Sequence, residues 1–170
     1  MAELFDPIAV LQALDDQRVT YIVIGGLGRV IHGSDELTDG IDIVPSTREE
    51  NLRRLGLALD ELNARGTDGK PPVLERDLAG KPVLELHTDA GELKIVPEPA
   101  GTRGYDDLRR AASREPLGHG VRPSVASLGD HARMLAALNR EQDLEPLHTV
   151  RRLVELELER SRGRTRGIER

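Results

Sequence analysis

The stretch YIVIGGLGRVIHGSDELTDGIDIVPS, residues 21–46, limits what this chain can fold into more than any other part of it. TYIVI (20–24) is a short run of apolar and β-branched residues, which reads as a buried strand. Gly25-Gly26 breaks it. Leu27 to His32 reads as a short helix that stops at Gly33. GIDIV (40–44) is a second strand. Its period of two sends Ile41 and Ile43 to the core and puts Gly40 and Asp42 together on the other face. Strand, glycine turn, helix and strand within 26 residues call for a sheet with helices packed on it.

The rest of the chain extends that plan. Asp6-Pro7 is a helix start, because Asp caps free N–H groups and Pro suits the first turn. Thr47 and Glu50 have the spacing of a capping box. Leu52, Leu55, Leu59 and Leu62 behind them form one apolar stripe. PVLELH (82–87) and ELKIV (92–96) are strands joined by the turn TDAG, a register that pairs His87 with Glu92 and Glu85 with Lys94. GYDDLRRAA (104–112) reads as a short helix, Ser127 caps another, and a last helix runs from about Asp143 to Arg160. No repeat or linker divides the chain. The expectation is one α/β (α+β) domain over 1–160, with a small mixed sheet flanked by helices over about 6–100 and a helical C-terminal part over about 104–160.

Aromatic residues make up only 2% of the chain, so its core must be built from Leu, Ile, Val and Ala. Cysteine is absent, which excludes disulfides, thiolate catalysis and cysteine metal sites. No apolar run approaches the roughly 20 residues of a membrane span, and the first residues lack a signal-peptide pattern. The expected setting is the cytoplasm, with no membrane partner. The formal charge is −6, but RSRGRTRGIER (160–170) carries five arginines, leaving the remainder near −10. That basic end, expected as a flexible tail over 161–170, suits either an acidic or RNA partner or plain solvent. The acidic remainder argues against broad binding of nucleic acid.

The chemistry suggested by spacing centres on residues 25–42. Glycines let a ligand approach the backbone, and the free N–H groups of a helix start attract phosphate, so Gly25 and Gly26 are candidate phosphate contacts; a tight turn without ligand is the alternative. A dinucleotide fingerprint is not completed, because Ile31 stands where the third glycine belongs. Asp42 is a hard oxygen donor on a strand face beside that turn, placed to hold Mg²⁺ against phosphates; a surface acid is the alternative. Arg29 is a candidate phosphate contact or a solvated charge, and Ser34 a similar contact or part of an ordinary loop. His32 is nearest this site, although a helix-end role fits it as well. Tyr105 suits base stacking or packing. The five histidines form no metal-ligand spacing.

The segments YIVIGG, HGSDELT, IDIVP, NLRRL, GELKIVPEPAGTRGYDDL and SLGDHARMLAALNREQDL, in this order over residues 6–158, resemble the nucleotidyltransferase-fold family related to AbiEii-type toxins and minimal nucleotidyltransferases. The resemblance implies transfer of a nucleotide from an NTP, with Mg²⁺, to RNA (tRNA among them), protein or a small molecule, and for several members a role as a toxin with a cognate antitoxin. It makes Gly25 and Gly26 the phosphate turn and Asp42 the second acid of an acid–apolar–acid strand. Gly40 then stands in the place of the first acid, with Asp39 one residue early. Lys94 stands where a third acid is common. Asp143 matches a late Asp, with Gln142 in place of a neighbouring Lys. The expected site is thus Asp42 and Lys94 as catalytic groups, Asp42 as metal ligand, and Gly25, Gly26, Arg29 and Ser34 around the nucleotide. A catalytically degenerate protein that binds nucleotide or a partner, or a dimerising scaffold built on the leucine-rich last helix, is the competing expectation. Lys94 has three readings: a built-in cation that replaces part of the metal's role, a cross-strand partner of Glu85, or a charge that neutralises Asp42.

Overall fold

The computed structural model describes residues 5–168. In chain order its elements are α1 (Pro7–Asp16), β1 (Tyr21–Ile24), α2 (Gly25–Ile31), β2 (Gly40–Pro45), α3 (Glu49–Glu61), α4 (Leu74–Asp77), β3 (Leu84–Thr88), β4 (Gly91–Ile95), α5 (Tyr105–Leu108), β5 (Ser113–Arg114), β6 (Ser124–Val125), α6 (Leu128–Leu138) and α7 (Leu144–Ile168). One six-stranded mixed sheet has the order β3-β4-β2-β1-β6-β5. The fold is therefore α+β, as the sequence predicts.

Local chemistry explains most of these elements. The Asp6 carboxylate accepts the Ala9 N–H at 3.1 Å and Pro7 opens α1. The TDAG turn closes on Thr88, whose hydroxyl donates to the Gly91 carbonyl at 2.7 Å and accepts the Ala90 N–H at 3.1 Å. The resulting register pairs Glu85 with Lys94 and His87 with Glu92, as the four-residue turn dictates. Leu55, Leu59 and Leu62 of the stripe are buried and Leu52 packs beside them, against α1 and the Ile41/Ile43/Leu93/Ile95 face of the sheet. Each such side chain adds about 1.5–3 kcal/mol by leaving water. On the opposite face Ile22, Ile24 and Val44 meet Leu108 and Met134, and Leu128, Leu135, Leu147 and Val150 join α6 to α7.

Asn51, on α3, ties the two central strands together. Its amide donates to the carbonyls of Thr20 (2.9 Å) and Ser46 (2.7 Å), and its side-chain oxygen accepts the Thr20 N–H at 2.7 Å. Those bonds hold the start of β1 and the end of β2 onto one buried side chain.

Several expectations are corrected. Thr47 and Glu50 make no capping box: α3 begins after Arg48 without a side-chain cap, and Glu50 instead binds Arg53 at 2.7 Å and Arg54 at 3.4 Å. The helix expected over 104–112 ends at Leu108, and the two-residue strands β5 and β6 follow it. The last helix, expected to end near Arg160, runs on to Ile168, with the residues from Glu155 through Gly167 all exposed; residues 169–170 lie outside the described residues. Among the described residues no helix is long and apolar enough to cross a membrane.

Candidate functional site

The β1–α2 turn, β2 and β4 meet along one edge of a cavity of about 420 Å³. β1 and β2 are antiparallel with Ile24 opposite Asp42, and β2 and β4 are parallel with Asp42 opposite Lys94. That topology brings Gly25, Gly26, Arg29, Asp42 and Lys94 into one lining. Glu85, Glu98, Arg140 and Asp143 add polar groups, while Val83, Met134 and Leu138 add an apolar wall.

Gly25 is required by two constraints at once. Its φ is +69°, and a Cβ there would lie 2.9 Å from Asp42 Cγ. The Asp42 carboxyl thus occupies the volume a side chain would fill. Burial pushes its pKa above the ordinary value, against the opposing pull of the Lys94 and Arg29 cations. Gly26 has ordinary space around it, with Thr38 Oγ1 nearest at 3.5 Å.

Gly40 is crowded from the neighbouring strand. A Cβ there would sit 3.0 Å from the Glu92 carbonyl oxygen and 3.2 Å from Glu92 Cβ, because Gly40 pairs with Glu92 in the parallel β2–β4 ladder. A carboxylate at position 40 requires β4 to give way. Among the described residues no three His, Cys, Asp or Glu side chains come together as a metal-ligand group. A lone Asp42 beside an ammonium is a poor fit for a pair of Mg²⁺ ions, which need several hard oxygens.

Arg29 and Ser34 behave differently from expectation. The Arg29 guanidinium makes a bidentate pair with Glu36, both bonds at 2.7 Å, and the Ser34 hydroxyl donates to the same carboxylate at 2.8 Å. Burial opposes the charge on Glu36, but the hydrogen bonds from Arg29 and Ser34 outweigh it and hold its carboxyl below the usual value. Ser34 is buried and lies outside the cavity lining. Arg29 stays in the lining with its charge matched.

His32 is a helix-end residue: it follows the last residue of α2, and its Nε2 lies 2.8 Å from the Ala126 carbonyl. Tyr105 packs on the Ile22/Val44 cluster. Sequence reasoning missed His131 and Arg140. His131 is 1% exposed, faces His32 edge-on with ring centroids 5.9 Å apart, and its Nε2 has no hydrogen-bond partner among the described residues. It fills the space over Gly28, where a Cβ would fall 2.7 Å from its Cε1. Gly28, the second glycine of the incomplete dinucleotide pattern, is thus a socket for α6. Burial, with smaller contributions from His32 and Arg29, lowers the His131 pKa to about 3. Arg140 holds the buried Asp143 carboxylate with bonds of 2.6 and 3.0 Å; their i,i+3 spacing was the one available signal.

Comparison with solved structures places this architecture in the nucleotidyltransferase fold. The lincosamide antibiotic adenylyltransferase LnuA, solved with lincomycin bound, superposes with a TM-score of 0.61 at 14% identity, over 88% of this chain and 99% of that one. The antibiotic-resistance factor ANT(2'')-Ia superposes at 0.58 and 14% identity, over 95% and 92%. The Thermotoga maritima protein TM1012, assigned as a nucleotidyltransferase, superposes at 0.54 and 18% identity, over 86% and 94%. No family model and no curated protein matches the chain.

Proposed function

We propose that this nucleotidyltransferase-like protein binds a nucleotide in the β2–β4 cleft and neutralises its phosphates with the Lys94 ammonium rather than with a pair of metal ions. The carrying observation is the pairing of Asp42 with Lys94 across the parallel ladder, next to a Gly40 where a side chain would meet the Glu92 carbonyl oxygen at 3.0 Å. In this reading the backbone at Gly26, which has ordinary space around it, lets phosphate oxygens approach. Asp42 faces Lys94 across the ladder and feels its charge, and the Val83, Met134 and Leu138 wall takes the base. Lys94 has no carboxylate within 4 Å among the described residues, so its charge is available. Glu85 stands opposite it on β3 and is exposed, which favours the cleft role over a fixed hairpin pair.

Calorimetric titration of ATP, with Mg²⁺ and with EDTA, tests this. The parent should bind with similar affinity in both. Lys94→Asp should lose about tenfold or more in EDTA, the worth of one charge-assisted hydrogen bond at about 1.5–3 kcal/mol, and should gain metal dependence. Strong metal dependence in the parent, unchanged in the variant, would remove the built-in-cation reading.

A second reading is favoured by the survival of Asp42 and the glycine turn in one cleft: a nucleotidyltransferase still active on RNA or protein, as the toxin of a toxin–antitoxin pair in the cytoplasm. LnuA and ANT(2'')-Ia are antibiotic-directed by name, which adds small-molecule acceptors to that reading. Incubation with labelled NTPs and total RNA separates the two; label retained on RNA and lost in Asp42→Asn supports transfer.

A further inference from the structure

The chain is acidic, yet Arg103, Arg109, Arg110 and Arg133 line two adjoining open cavities of about 530 and 400 Å³ around α5, outside the nucleotide cleft. Arg110 belongs to both and joins them. The nearby carboxylates are largely committed. Asp107 accepts the Arg103 N–H at 2.9 Å and pairs with Arg133 at 3.2 Å, while Asp130 holds the other arm of Arg133 at 3.1 Å. Asp106 stands 3.5 Å from Arg109 in full view of solvent. Arg103 and Arg110 are exposed and have no carboxylate within 4 Å among the described residues.

We propose that this arginine groove binds the phosphodiester backbone of a single-stranded nucleic acid. The lining of the larger cavity contains no large apolar side chain, so it offers no anchor of the kind that carries protein–protein affinity. Guanidinium forks need only phosphate oxygens. Arg110 lines both cavities, so arginines are presented in two neighbouring hollows, which fits successive phosphates of a strand better than a single anion. The segment 99–103 divides the groove from the cleft: Pro99 and Ala100 line the cleft, and Gly101, Thr102 and Arg103 line the groove. A bound strand would therefore lie beside the nucleotide site, although groove binding does not depend on that site being occupied.

Fluorescence anisotropy with a labelled oligoadenylate of about a dozen nucleotides, followed from low to physiological salt, is the test. Arg103→Ala/Arg110→Ala should weaken binding about tenfold at low salt and lower the slope of log affinity against log salt by about 1.4, two contacts at about 0.7 each. Both residues are exposed, so circular dichroism and ATP affinity should match the parent, which keeps a failure here distinct from a failure of the cleft reading. Arg162→Ala/Arg166→Ala in the free half of α7 should keep most of the binding. The proposal is overturned if the groove variant binds like the parent or if the α7 variant alone abolishes binding. It is equally overturned if polyglutamate or inorganic phosphate, matched by charge, displaces the RNA as well as unlabelled RNA does.

Discussion

Replacing Gly25 with alanine probes the centre of the cleft directly. The substitution meets two independent penalties. A φ of +69° costs an L-residue about 1–2 kcal/mol. The new methyl would stand 2.9 Å from Asp42 Cγ and 3.1 Å from Asp42 Cβ; overpacking of this kind costs about 1–3 kcal/mol. Gly25→Ala should therefore destabilise by about 2–5 kcal/mol. Gly26→Ala is the control: its methyl has normal contacts, and alanine improves a helical position by up to about 1 kcal/mol. Urea denaturation gives both numbers, read from midpoints at constant m-value. Asp42→Ala separates the two penalties, since it removes the carboxyl and leaves the backbone strain. A double-mutant cycle between positions 25 and 42 should show about 1–3 kcal/mol of coupling. If Gly25→Ala and Gly26→Ala agree within about 0.5 kcal/mol, or if the cycle shows no coupling, the Asp42 carboxyl does not sit on the turn and the account of the cleft is wrong.

Asn51→Ala removes three hydrogen bonds and strips the Thr20 N–H and the Ser46 carbonyl of their partner, while the Thr20 carbonyl keeps the Ser46 N–H at 3.1 Å, so it should cost about 2–4 kcal/mol in urea denaturation. The His131 pKa is lowered to about 3 in the folded chain, so its contribution to stability is present above pH 6.5 and is lost as pH falls toward 3; His131→Gln should flatten this part of the stability–pH curve. The Asp42 pKa is raised in the folded chain, so its effect has the opposite sign. Its contribution is most favourable below the ordinary value of 3.8 and is lost as pH rises through the raised value. Asp42→Asn should therefore stabilise at pH 7, with the advantage fading in acid. Gly28→Ala should loosen the α2–α6 contact at a cost of about 1–3 kcal/mol, because its methyl would strike the His131 ring at 2.7–2.8 Å.

What could be read from the letters was what local periodicity determines. The four-residue turn TDAG fixed the register of Glu85 against Lys94, and period two on β2 put Asp42 opposite the core-facing Ile41 and Ile43. The leucine stripe of α3 and the Asp6 and Ser127 caps are local in the same sense. What was not legible depends on elements distant in sequence. Arg29 reads as a free cation until the loop after α2 returns Glu36 to it. The paired strands β5 and β6 have two residues each, too few to show a period, and exist because β6 pairs with β1. The Thr47–Glu50 spacing misleads for a local reason instead: Glu50 is drawn to Arg53 and Arg54 one turn later.

Gly40 shows how far the two kinds of information differ. As a letter it is only a missing acid, and Gly40→Asp looks like a simple restoration of a metal site. In the sheet it pairs with Glu92 of β4, with the Glu92 carbonyl oxygen 3.0 Å from where a Cβ would start. A carboxylate added there must first move a strand that also carries Lys94, two residues along the same ladder. Position 40 and Lys94 are thus coupled through β4. Gly40→Asp alone should then give little gain in Mn²⁺ affinity by calorimetry, whereas Gly40→Asp/Lys94→Asp supplies two hard oxygens and removes the competing ammonium. A single Gly40→Asp substitution that binds Mn²⁺ as well as the double variant would show that β4 yields freely and that Lys94 does not oppose a metal.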